Sequence, residues 1–390
     1  MTATSSGEGA GGDPSDPMGS PGPLADLVVI DCSTVLAGPN CARYLADFGA
    51  DVVKVEHPDG GDSMRRMGWA YPGDPDGDSV WWRVVGRNKR TVALDLKDPG
   101  DLAVMRRLCA TADVLVENFR PGTLERLGLD PEDLIATNPR LVVTRVTGYG
   151  QDGPYRDRPG FATQAEALSG WAAINGEPDG RPLLPPMALT DEVTALAAAF
   201  ATMVALHSGV GQVVDVNLIE SLMQFMAPFV AHTGLTGEVP ERLGGGIFST
   251  VPRNTYRTAD DRWIAISTSS DSVAARVMDL LGYGDDPRMT DFAGRLEHRA
   301  EIDARLADWM GGRTAAQALA EFDAAGAAAA PVYDVADLAA DEHIRQRRSI
   351  VDLDGVPMPA LLARLSATPG RLRWAGRPLD ADGDDIRATD

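Results

Sequence analysis

The sequence predicts an α/β fold: a large doubly wound domain around a parallel sheet, with a smaller α+β domain. Three observations lead there. A strand–loop–helix–strand unit fills residues 27–56. The alternation of short β-branched runs with helical patterns continues to about residue 149, as in sheets whose crossovers are helices. After residue 230 the pattern changes, and a glycine-rich connector leads into a hairpin and several short helices.

The elements follow in order. Leu27, Val28, Val29 and Ile30 form a short apolar run, read as a buried strand. Residues 41–48 have helical spacing and stop at Gly49; Val52, Val53 and Val55 make a second buried strand. Such a unit places a ligand crevice at the carboxyl ends of its strands. The loop between strand and helix lacks Gly-x-Gly-x-x-Gly, which argues against an ordinary dinucleotide enzyme. Strands are expected at 91–96, 114–118 and 141–146, with helices at 99–111, 123–128 and from 131. A loop over 148–160 precedes a helical segment at 162–174. A long helix starts at Thr190 and ends near Gly209; a strand at 211–217 and an apolar helix at 218–230 follow. Residues 254–266 read as a hairpin, with helices near 272–282, 300–310 and 314–325. The expected domains are 24–230, a connector and small domain at 231–325, and a return segment at 326–390 completing the large domain.

Composition narrows the function. A net charge of −21 and no evident basic patch exclude a typical nucleic-acid binder. Any anionic substrate must therefore meet a local cluster of Arg, Lys and backbone N–H groups. The cysteines Cys32, Cys41 and Cys109 fall in or beside core elements and fit no metal spacing, so reduced thiols in the cytoplasm are expected. No run of 18 apolar residues predicts a membrane span. Residues 1–23 are rich in Gly, Ser, Pro and Asp and read as a disordered tail without signal-peptide character; the end after Gly376 is expected to fray.

Asp191 sits at the start of the long helix, with Thr190 suited to the N-cap. There it faces free backbone N–H groups and the positive helix end, which favours an ionised carboxylate. Such a residue is also a common structural choice. His57 follows the second strand and either meets a phosphate or caps the strand. Asn118, Phe119 and Arg120 lie at a strand end, where Arg suits phosphate and Phe suits stacking on a purine. Asn88, Lys89, Arg90 and Lys97 flank another strand and would add positive charge to that side. Gly244, Gly245 and Gly246 form a candidate lid over a site.

Taken together, several segments resemble the class III CoA-transferase family, which also includes 2-methylacyl-CoA racemases. They are Val35-Leu36-Ala37-Gly38-Pro39, residues 45–56, Asn88-Lys89-Arg90, Leu94-Asp95-Leu96-Lys97, residues 116–122, residues 146–150 and Ala167-Leu168-Ser169-Gly170. Asp191, residues 209–212 and residues 330–333 continue the match. The resemblance implies an interlocked homodimer, each subunit having a large Rossmann-like domain made from both chain ends. It implies coenzyme A, as acyl-CoA, and a carboxylic acid as partners. It places the catalytic nucleophile on Asp191, passing through an acyl–aspartyl anhydride and an aspartyl-CoA thioester. CoA contacts carry over to Leu36, Ala37, Leu94, Asp95, Leu96, Lys97, Asn118, Phe119, Arg126, Val146, Thr147, Gly148 and Tyr149, with His57 near the phosphates. His57 and Thr147 stand where relatives carry Arg and Lys; Arg65, Arg66, Lys89 or Arg90 would compensate. Leu36, where some relatives carry Gln, hints at a less polar acyl group.

The resemblance leaves two enzyme readings and one without catalysis. A racemase needs an acid/base pair at the acyl α-carbon. Phe161 stands where racemase relatives carry His and cannot shuttle a proton, which favours transfer; Glu166 would have to substitute. A non-catalytic acyl-CoA-binding protein would not need Asp191.

Overall fold

The computed structural model describes residues 22–388, without the side chains of 74–76. The expected disordered tail, apart from its last two residues, lies outside the described residues. The chain forms two compact units. The larger takes the chain up to Ser169, then Pro185–Ala227 and Arg345 to the C-terminal end; the smaller takes Gly170–Leu184 and Pro228–Ile344.

Six parallel strands make the sheet of the larger unit: β1 (Val28–Asp31), β2 (Asp51–Glu56), β3 (Lys89–Ala93), β4 (Val114–Glu117), β5 (Val142–Thr147) and β6 (Gln212–Asn217), in the order β3-β2-β1-β4-β5-β6. This is the doubly wound order, and its topological switch lies between β1 and β4. Val29, Val52 and Val114 face one layer, with Ala42, Leu45 and Ala46 of helix α1 (Ala37–Asp47). Ile30, Val53 and Leu115 face the other, with Met105 and Cys109 of α2 (Pro99–Thr111). The period-two split of each strand between two apolar layers is what a sheet covered on both faces requires.

Helix α3 (Ala162–Leu168) ends at Ser169, and Gly170 in the left-handed region separates it from the next turn, so the single helical segment expected over 162–174 is two pieces. Helix α4 (Leu189–Ser208) buries Ala195 and Ala198 in the layer that holds α1. By length and composition it alone, among the described residues, is apolar enough to cross a membrane. Its small residues Ala195 and Ala198 pack in the layer of α1, while Leu196, Phe200 and Val204 are exposed.

The outer edge of β3 is not left open. Asp380 and Asp382 accept the backbone N–H groups of Ala93 and Thr91, both at close to hydrogen-bond optimum (2.8 and 2.9 Å), and Asp382 N–H donates to the Thr91 carbonyl. Trp374 donates from its indole to the Lys89 carbonyl, and a last helix, Gly383–Ala388, buries Ile386. The expected fraying after Gly376 is therefore corrected. Its aspartates are acceptors for a sheet edge, which composition alone reads as solvated charge.

The smaller unit has an antiparallel sheet with β8 (Trp263–Ser267) between β7 (Arg253–Arg257) and β9 (Ala329–Pro331). Ile264, Ile266, Val277, Leu306 and Phe322 share its core.

Candidate active site

The carboxyl ends of β1 and β4 open at the switch point. The loop after β1 is held there by a buried ionic cluster. Lys89 Nζ reaches Asp31 Oδ2 at 2.8 Å and the Pro39 carbonyl at 2.6 Å. Lys54 Nζ contacts Asp62 Oδ2 at 3.0 Å and donates to the Ser33 carbonyl. Asp62 Oδ1 in turn accepts from the N–H groups of Val35 and Met64, and Asp31 from that of Ser33. Asn118 completes the clamp, accepting from Thr34 N–H and donating to its carbonyl. All four ionisable groups are buried. Burial alone would push Asp31 up, yet Lys54 and Lys89 outweigh it and hold the carboxyl below its usual range. Burial would push Lys54 down, but Asp31, Asp62 and Glu56 hold it above the usual lysine value; Lys89 has only Asp31, and there burial wins. Within this clamp Val35 adopts φ +69°, a left-handed conformation that β-branched residues avoid.

A cavity of about 280 Å³ lies above the strand ends. His57, Leu94, Asp95, Leu96, Lys97 and Phe119 line it, with Lys54 at its base. His57 Nε2 is 3.8 Å from Asp95 Oδ1. Residues 94–97 leave the sheet to form this wall; β3 runs over 89–93, two residues earlier than the sequence pattern suggested. The other expected contacts lie elsewhere. Leu36 and Ala37 are buried, Leu36 packing on Met64, Trp82 and Val85, so its apolarity serves the interior. Arg126 is exposed and donates to Thr123 Oγ1. At the end of β5, Val146 and Thr147 are buried, and a Cβ on Gly148 would come within 3.0 Å of Gly160 Cα. Tyr149 hydroxyl is bound to the Pro159 carbonyl. Arg65, Lys89 and Arg90 are taken up by Glu56 and Asp78, by Asp31, and by Asp51. Of the four expected compensating cations, only Arg66 forms no ion pair among the described residues; it is exposed and donates to the Gly60 carbonyl. In the smaller unit, Gly244 N–H is bound to the Gly176 carbonyl, the Gly245 carbonyl accepts from Arg253, and Gly246 N–H is bound to Leu243.

Asp191 is the third residue of α4. Thr190 is not the N-cap: that position is Ala188, and Thr190 hydroxyl donates to Glu166 Oε1 at 3.0 Å. Ala188 packs against the cluster of Val35, Leu36, Met64 and Trp82, which brings the start of α4 to the clamped loop. Glu192 is held by Asn40 and Tyr44 of α1. The Asp191 carboxylate accepts no hydrogen bond among the described residues. Burial first, and then the neighbouring Glu166 and Glu192, raise it to about 6. Desolvation and two like charges thus raise its proton affinity against the helix field, while a value near 6 still leaves the carboxylate mostly ionised at pH 7.

CoA-transferase family III matches residues 24–383 of the sequence. The chain belongs to CoA-transferase family III. Over 372 residues, 92% of each chain, it is 40% identical to a succinyl-CoA–D-citramalate CoA-transferase of Chloroflexus aurantiacus. A succinate–glutarate CoA-transferase of Agrobacterium fabrum is 33% identical over 90% of this chain and 91% of its own. A CaiB/BaiF family crystal structure from Brucella suis superposes with a TM-score of 0.83 at 31% identity, over 94% of this chain and 99% of that one. The protein is a class III CoA-transferase, acting on CoA thioesters and carboxylic acids.

Sequence reasoning missed the clamp. Its signal was present: Asp31 and Lys54 are charged residues within buried β-branched runs, where a charge needs a partner.

Proposed function

We propose that Asp191 is the nucleophile of CoA transfer from an acyl-CoA to a dicarboxylic acid. One observation carries this reading: a largely buried, unbonded carboxylate at the start of α4, beside the clamped switch-point loop and poised near 6. A carboxylate oxygen attacks the thioester carbonyl, the C–S bond breaks, and CoA thiolate leaves. The thiolate then attacks the Asp191 carbonyl of the anhydride and releases the donor acid. The acceptor carboxylate displaces the thiolate from the aspartyl thioester, forming a second anhydride. Thiolate attack on the acceptor carbonyl yields the new acyl-CoA and frees Asp191. The 280 Å³ cavity takes one part of CoA, with Phe119 offered to the adenine and Lys97 and His57 to phosphate. The acceptor class is drawn from relatives named for citramalate and glutarate.

The acting form is a homodimer in this reading. Leu196, Phe200 and Val204 form an exposed stripe at i, i+4 and i+8 of α4, with Phe200 at 73% exposure, an apolar face suited to a second subunit. Three free, buried cysteines fit a cytoplasmic setting.

The test is chemical trapping. Incubation with succinyl-CoA and then hydroxylamine or borohydride is expected to modify Asp191, read by peptide mass spectrometry. No adduct with any of several donors sinks the assignment. Deuterium entering the acyl α-carbon without an acceptor would instead make Glu166 and Asp191 a racemase pair.

A further inference from the structure

A thioester acylates amines and thiols, so an enzyme that works on acyl-CoA is exposed to its own substrate. This chain offers that reagent very few targets. Only three of its 36 basic residues are lysines, and it has three cysteines. The arginines do not count, because a guanidinium stays protonated. Five of the six targets are out of reach. Lys54 and Lys89 are fully buried and paired with Asp62 and Asp31. Cys32, Cys41 and Cys109 are at most 3% exposed, and burial pushes all three thiols up, which keeps them protonated.

The sixth is Lys97. It is exposed and lines the 280 Å³ cavity. Its backbone N–H is fixed to Asp95 Oδ1 at 3.0 Å. Its side-chain nitrogen forms neither a hydrogen bond nor an ion pair among the described residues. The one accessible amine among the lysines therefore stands in the wall of a site assigned to CoA.

We propose that Lys97 is a site of N-acylation by the acyl-CoA donor itself, and that the modification closes the cavity to CoA. This rests on the reading above in which the cavity takes part of CoA. The unprotonated Nζ attacks the thioester carbonyl of an acyl-CoA arriving while the cavity is empty. The N–C bond forms, the C–S bond breaks, and the proton lost by the amine leaves on the thiol of CoA. A succinyl group thereby exchanges a cation for an anion. The same wall already carries Glu56, Asp62 and Asp95, so CoA phosphates would then meet only like charge nearby. Donor that accumulates without an acceptor thus throttles its own use.

The test incubates the full chain with succinyl-CoA in mildly alkaline buffer without acceptor, followed by tryptic peptide mass spectrometry. Succinylation is expected at Lys97 and not at Lys54 or Lys89, with cleavage after Lys97 lost. Adenosine 3′,5′-bisphosphate should slow the modification. The treated enzyme should show a succinyl-CoA KM raised about tenfold, as should untreated Lys97→Gln. Lys97→Arg keeps the cation and cannot be acylated, so its KM should be the same before and after treatment. An unmodified Lys97, under conditions that succinylate all three lysines of the urea-unfolded chain, overturns the proposal. Modification at Lys97 that leaves the KM unchanged overturns the regulation. Full CoA affinity in Lys97→Gln, measured by calorimetry, rejects the cavity reading beneath it. Weakened affinity there with no acylation of the wild type leaves that reading standing and removes only the modification.

Discussion

Asp191 works against the fold that holds it. Its folded-state value of about 6 exceeds the ordinary 3.8, because burial and then Glu166 and Glu192 penalise the charge. The folded chain therefore binds this proton more tightly than the unfolded chain. The corresponding stability is complete below pH 3.8 and is lost as pH rises through 6, on the order of 3 kcal/mol. Asp191→Asn should recover part of it, raising the thermal midpoint at pH 7 while abolishing adduct formation; an unchanged or lower midpoint would contradict the electrostatic account. The acid limb of kcat/KM is expected near pH 6. Glu166→Gln removes a neighbouring negative charge and should shift that limb downward, checked by a pH–rate profile. The position of Asp191 at a helix start was legible in the sequence. Its proton affinity was not, since burial and the approach of Glu166, 25 residues earlier, depend on tertiary packing.

Among elements, the β1–α1 loop concentrates the cost. Val35 at φ +69° is held by the Asp62 carboxylate, which Lys54 in turn holds. Val35→Gly relieves strain of about 1–3 kcal/mol less the backbone entropy of glycine. A higher urea midpoint with a fall in kcat of at least fivefold is expected; a gain in stability without any loss of rate would show that the loop geometry is not used in turnover. Lys54→Met leaves Asp62 and Asp31 short of a buried cation and should cost about 3–5 kcal/mol, measured by urea unfolding. The strand before this loop and the strand after α1 were readable because β-branched runs announce themselves. The roles of Lys89 and Arg90 were not. A lysine beside a strand looks like a solvent-facing charge until Asp31, 58 positions away in sequence, is placed against it.

At the scale of the whole molecule, the alternation of strands and helices was legible because each crossover is local. The use of the last residues was not, since Asp380 and Asp382 find Ala93 and Thr91 only in three dimensions. The exposed stripe on α4 carries the prediction for assembly. Phe200→Glu places a charge in an apolar face and should convert a dimer into monomers with low activity, measured by light scattering after size exclusion. A variant that remains dimeric would move the interface elsewhere.

The edge of β3 has a consequence for biosynthesis. Its partners lie at residues 374–382, nearly three hundred positions after it in sequence, and the larger unit resumes only at Arg345. During synthesis at roughly 5–20 residues per second, β3 emerges long before Asp380 and Asp382 exist. The smaller unit is complete at Ile344 and is free to mature on the ribosome, whereas the sheet waits with an unsealed margin until residues 380–382 have been made. A stop codon near Gly376 would thus leave the nascent sheet permanently open at that side.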